Sequence, residues 1–179
     1  MNLMETILSA GGGDAVREIS RQFGLGQDQT VSAIQSLLPA LAGGMQRNVN
    51  QEGGLESLLT ALIGGQHQRY VDNPATLGAQ ETVEDGNGIL GHLFGNKEVS
   101  RQVASHASMQ TGIGQDILKQ MLPMVAALAM GALSKSAVNR EAPSAGEGVL
   151  GMLGPLLDRD RDGSAADDIM GMVGRLFSR

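Results

Sequence analysis

Apolar residues recur in this chain at steps of three and four, and almost never at steps of two. Val31, Ile34, Leu38, Leu41 and Met45 form one such ladder, and Ile117, Met121, Val125 and Leu128 form another. A side chain every three or four positions returns to one face of an α-helix, whereas a half-buried strand needs alternation. The fold expected is therefore all-α. Gly11-Gly12-Gly13, Gly24-Leu25-Gly26, Gly53-Gly54, Gly64-Gly65 and Gly112-Ile113-Gly114 punctuate the ladders and read as helix ends or tight connections. Many short helices and little or no sheet follow from that spacing.

The apolar palette agrees. Among 179 residues there are three Phe, one Tyr and no Trp, so a core has to be built from Leu, Ile, Val, Met and Ala. That mixture suits close-packed helices better than a β-sandwich, and the length holds one sizeable domain or two small ones. Ten Met at helical spacing read first as core filler and second as an adaptable binding face. The longest nearly uncharged apolar run, Met121 to Leu133, is broken by Pro123 and falls short of the roughly 20 residues of a membrane-spanning helix. A buried core helix is the expectation there, with no membrane span.

Several short patterns occur twice in the same order. Ile19-Ser20-Arg21-Gln22-Phe23 resembles Val99-Ser100-Arg101-Gln102-Val103, Gly24-Leu25-Gly26-Gln27-Asp28 resembles Gly112-Ile113-Gly114-Gln115-Asp116, and Leu38-Pro39 resembles Leu122-Pro123. The intervals differ by about two turns and one turn of helix, which roughly preserves the buried face. An internally duplicated helical bundle is expected. A third pattern of Gly and Leu, at Gly54 to Leu59, Gly88 to Gly95 and Gly148 to Leu153, gives short helices with small residues for close packing.

Val71-Asp72-Asn73-Pro74 through Asp85-Gly86-Asn87 is polar, carries Pro and Gly, and lacks periodicity, so it reads as a linker. The chain then divides into an N-terminal helical unit over 1–70, a linker over 71–87 and a central helical unit over 88–138. A second linker over 139–146 and a C-terminal helical hairpin over 147–179 complete it.

That hairpin carries Leu157-Asp158-Arg159-Asp160-Arg161-Asp162-Gly163-Ser164. Alternating carboxylates followed by glycine are how a short loop encircles a hard cation, and Asp158, Asp160, Asp162 and Gly163 fit positions one, three, five and six of a calcium loop. Position twelve, which needs a bidentate glutamate, holds Ile169, so a complete EF-hand is not expected. Two readings fit the same letters. In one, Asp167 or Asp168 swings back from the following helix to close a shortened calcium site. In the other, Ser164 caps that helix, Asp167 and Asp168 face the positive end of its dipole, and Arg159 and Arg161 neutralise the aspartates without any cation.

Charge excludes other partners. A formal charge of −6 draws the chain neither to phosphates nor to anionic lipid. Arg17 to Phe23, the Gly-Leu-Gly turn and Gln27 to Leu38 outline a helix-turn-helix, but the second helix offers Gln27, Asp28, Gln29, Ser32, Gln35 and Ser36 and no cation for a phosphate. It reads as a packing unit, with no nucleic acid. The absence of Cys and of a basic region before an apolar run at the N-terminus fits the cytoplasm.

Catalytic patterns are missing as well. His67, His92 and His106 share no metal-ligand spacing, no Ser sits in a glycine elbow, and Asp167 and Asp168 point about 100° apart on a helix. No glycine-rich stretch ends in the Lys-Ser/Thr of a nucleotide loop, and no small-molecule substrate suggests itself.

Ile89-Leu90-Gly91-His92-Leu93-Phe94-Gly95-Asn96-Lys97, followed by Thr111-Gly112-Ile113-Gly114, Met121-Leu122-Pro123 and Met130-Gly131-Ala132-Leu133, resembles the bacterial YidB-like family of unknown function, most specifically over residues 86 to 134. Longer members of that family end in an aspartate-rich loop like Asp158 to Gly163. The resemblance implies a bacterial, cytoplasmic, all-helical protein and carries over no catalytic or binding residue. The functional expectation is a non-enzymatic module that self-assembles or docks on another protein through apolar helix faces. The alternative is a calcium-binding module, in which the loaded loop orders the C-terminal helices and presents Ile169, Met172, Val173 and Leu176.

Overall fold

The computed structural model of the chain describes residues 3–9 and 13–139, and every regular element among them is helical. The order is α1 (Leu3–Leu8), α2 (Asp14–Phe23), α3 (Gln27–Val49), α4 (Gly54–Gly64), α5 (Arg69–Asp72), a 3-10 turn (Pro74–Gly78), α6 (Gln80–Phe94), α7 (Lys97–Thr111) and α8 (Gln115–Asn139). Residues 1–135 form one compact unit and 136–179 a second. The C-terminal hairpin, its aspartate loop and the 139–146 linker lie outside the described residues, apart from Asn139 itself.

Glycine ends the helices that precede the two longest ones. Gly24 closes α2 with φ 64° and Gly112 closes α7 with φ 72°, left-handed conformations that a Cβ would penalise. Each is followed by one apolar residue and a second glycine before the next helix begins. At the first corner the buried Ser20 hydroxyl stands 2.8 Å from both the Val16 carbonyl and the Thr30 hydroxyl, and Thr30 donates to the Gly26 carbonyl at 3.0 Å. At the second, Ser108 donates to the Ile113 carbonyl at 2.6 Å. Asn96 caps α7 by accepting from Val99 N at 3.0 Å.

α3 is amphipathic. Thr30, Ala33, Ile34, Leu37, Leu38, Leu41, Met45 and Val49 are buried, while Gln27, Asp28, Gln29, Ser32, Gln35 and Pro39 are exposed. It packs against α2, α4, α6 and α7. α8 differs, because all fourteen residues from Met121 to Leu133 and Ser134 are buried, on every side of the helix. A helix apolar all round belongs in an interior. Bare backbone lets neighbours reach it. Gly86 of α6 sits so close to the Pro123 carbonyl that a Cβ would overlap it, and Gly131 lies against the His67 carbonyl and Val71. Ser134 Oγ donates to the Leu62 carbonyl at 2.6 Å, and Lys135 pairs with Asp72 at 2.5 Å.

Two expectations are corrected. The 71–87 stretch is not a linker. Pro74–Gly78 and Gln80–Phe94 are helical, Val71, Pro74, Leu77, Thr82 and Gly86 are buried, and the boundary between compact units falls after Lys135. Its apolar contacts come from Val71, Pro74 and Leu77, a short ladder that polar neighbours and the proline obscure in the sequence. The apolar run at Met121 is also part of a longer helix than expected: among the described residues, Gln115–Lys135 is the one stretch long and apolar enough to cross a membrane, although most of it is buried inside the body.

Candidate functional site

The densest set of chemically capable side chains gathers where the short α5 meets α6. α4 ends at Gly64, and extended Gly65 turns the chain into residues 66–68. The missing Cβ at Gly65 leaves room for the His67 ring, which lies over that backbone. Tyr70 N then donates to the His67 carbonyl at 3.1 Å and starts α5. This turn brings His67, Arg69 and Tyr70 to face Asp85, on the second turn of α6.

Tyr70 is the hub. It has no solvent exposure, and its hydroxyl donates to Asp85 Oδ2 at 2.6 Å while accepting from the Arg69 guanidinium at 2.8 Å. The same guanidinium lies 4.9 Å from the Tyr70 ring centroid, a cation–π distance. His67 Nδ1 stands 3.1 Å from Asp85 Oδ2, at ion-pair distance but without hydrogen-bond alignment, and is itself buried. Burial first, and the bond to Asp85 second, push the Tyr70 hydroxyl above its ordinary pKa, since each favours the form that keeps its proton. The bond to Tyr70 holds Arg69 above its own ordinary value. One carboxylate oxygen therefore gathers a phenol and an imidazole beneath an exposed guanidinium.

Beside this cluster runs an open trough of about 930 Å³, walled by Asp14, Arg17, Glu18 and Arg21 of α2, by Leu25 and Gln27 at the first corner, and by Asp72 to Ala75. It meets a second depression, of about 540 Å³ along Gly65 to Asn73, at the shared residues Asp72 and Asn73. Its charges answer one another: Arg17 pairs with Asp14, Arg21 with Glu18, and Lys135 with Asp72.

The five carboxylates expected to hold calcium, Asp158, Asp160, Asp162, Asp167 and Asp168, lie outside the described residues. Among the described residues no three His, Asp or Glu side chains gather as a metal site. The histidines fall on separate elements. His92 is exposed on α6, where its carbonyl accepts from Asn48, and His106 is exposed on α7 with Nε2 3.1 Å from Gln110 Nε2. Sequence reasoning missed Arg69, Tyr70 and Asp85. The lone tyrosine, the largest side chain available here for a polar handle inside a core, was the signal that could have found them.

The family model for bacterial proteins of unknown function designated DUF937 matches residues 5–136. The chain belongs to that family. The span of the DUF937 match takes in the cluster, both depressions and residues 86–134, where the resemblance was read, and it stops short of the aspartate loop. No curated relative and no solved structure matches this DUF937 chain.

Proposed function

We propose that the chain is a non-enzymatic helical module that works by binding protein, either further copies of itself or another chain, in the cytoplasm. The observation that carries this reading is how the Tyr70 cluster uses its groups. Its phenol is wholly buried and its oxygen is already shared between Asp85 and Arg69, so these bonds clamp α5 to α6 and leave the Arg69 guanidinium as the group of the cluster most open to solvent. What the body turns outward is shape and polarity: the trough, with its paired charges and the apolar edges of Leu25 and Ala75, has the character of a peptide-docking surface rather than a phosphate-binding one. The two glycine corners, each leading into a long helix with an internal proline, support reading those halves as copies of one unit.

Sedimentation of the full chain over a wide concentration range tests the self-assembly branch. A concentration-dependent larger species, weakened by Arg17→Glu with Arg21→Glu, is the expected result. A monomer throughout removes that branch, and leaves a different protein as partner.

A second reading rests on the sequence Asp158-Arg159-Asp160-Arg161-Asp162-Gly163, in which calcium held by Asp158, Asp160, Asp162 and Asp167 or Asp168 orders the C-terminal residues. Calorimetric titration of the chelator-treated chain, with magnesium as competitor, checks it. Heat lost in the Asp158→Ala/Asp160→Ala variant supports the site, and no heat in either protein reduces the loop to a capped turn.

A further inference from the structure

The methionines whose side chains the structure describes divide sharply by access. Met45, Met121, Met124 and Met130 are between 0% and 4% exposed, whereas Met109, on the outer face of α7, is 76% exposed and is the one large apolar side chain left in solvent among the side chains described. A thioether reacts with a peroxide only when the oxidant reaches sulfur, so the buried four are protected for as long as α3 and α8 stay packed. At Met109 nothing has to open.

We propose that Met109 is a reversible oxidation site of this protein, with hydrogen peroxide as the oxidant. The Met109 Sδ lone pair attacks one peroxide oxygen, the O–O bond breaks, sulfur gains that oxygen as a sulfoxide, and the remaining hydroxide takes up the proton to leave as water. Sulfur is oxidised by two electrons and the peroxide is reduced by two. The product replaces a flexible apolar tip with a dipolar one at a position the fold does not use for packing, so the helices survive the change. It alters what the outer face of α7 offers to the surroundings, next to the Gly112-Ile113-Gly114 corner.

The test is time-resolved peptide mass spectrometry of the full native chain in dilute hydrogen peroxide. Met109 is expected to gain oxygen at least ~10-fold faster than Met45, Met121, Met124 or Met130. The helical circular dichroism should be unchanged when Met109 is fully oxidised, and methionine sulfoxide reductases of both epimer specificities should restore the thioether on the folded protein. Comparable rates at Met109 and Met121 would overturn the assignment, as would loss of helicity in step with Met109 oxidation, or a sulfoxide that the reductases reach only after denaturation. In a Met109→Leu variant the buried four should keep their slow rates. Their acceleration in that variant would show that access is governed by something other than burial, and would equally count against the site.

Discussion

α3 and α8 begin alike and end up in different places. Each follows a left-handed glycine, one apolar residue and a second glycine, each opens with Gln-Asp, and each carries an internal proline. α3 keeps a wet face of Gln, Ser and Asp and packs with the other, while α8 is buried all round from Met121 to Ser134. The prolines show the consequence. Exposed Pro39 costs α3 a hydrogen bond on its wet side. Pro123 is buried, yet the N–H it lacks would have bonded the carbonyl of Lys119, one turn earlier, and that residue is exposed. Starting signals set where a helix begins, and what stands at the third and fourth positions sets how deep it lies.

The sharpest way to break this contrast is to put one charge on each helix. Ala126 in α8 occupies a position that would face outward if α8 were amphipathic, and it is 2% exposed. Ala126→Glu buries an unpaired carboxylate in a filled core and should cost about 4 kcal/mol or more. Gln35→Glu on the wet face of α3 should stay within about 0.5 kcal/mol. Urea titration of both variants compares them directly, and equal midpoints would show that α8 has an open face.

The next effect concerns how a neighbour reaches α8. At Gly86, α6 crosses α8 over Pro123 with backbone against backbone, so Gly86→Ala has to push two helices apart and should cost about 3 kcal/mol, at the upper end for overpacking. A variant of wild-type stability would place the crossing elsewhere.

That crossing also shows what the sequence concealed. The ladders at Val31 and Ile117 announced the two long helices, and the glycine pairs announced the ends of α2, α4 and α7, because spacing and turn chemistry are local. Asp85-Gly86-Asn87 looked like the end of a linker because its helix buries only a glycine and a threonine in its first two turns, and a close approach leaves no hydrophobic signal. The Tyr70 cluster left only the lone tyrosine as a signal, because its partners are set by the fold rather than by local spacing. Tyr70 and Asp85 lie fifteen residues apart on separate elements, and only the meeting of α5 with α6 brings them together. The aspartate loop was the most legible motif in the chain and lies beyond the described residues.

Tyr70 gives a smaller effect with a defined pH signature. Its folded pKa is raised, so its share of stability is fully present below the ordinary tyrosine value of about 10 and is lost as pH rises through the folded value. As the only tyrosine, in a chain without tryptophan, it can be followed alone by tyrosinate absorbance. The native chain should titrate at higher pH than the denatured one, and a shared midpoint would refute the buried bond to Asp85. Tyr70→Phe should cost about 1 kcal/mol near neutral pH, since Asp85 is partly exposed and can turn to water, and it should remove this component of the alkaline destabilisation.

The smallest change expected has the opposite sign. Gly88 lies two residues beyond Gly86 in the same helix, on its exposed side, with open space where a Cβ would stand. Nothing at Gly88 requires glycine for packing, so it carries only the entropic cost of a glycine in a helix interior. Gly88→Ala should therefore raise stability by roughly 0.5–1 kcal/mol, seen as a higher urea midpoint at an unchanged slope. With Gly86→Ala the pair forms an internal control, because the two substitutions add the same methyl group to one helix and differ only in whether α8 lies against it. If both destabilise, α6 is limited by its own backbone; opposite signs tie the difference to the buried helix.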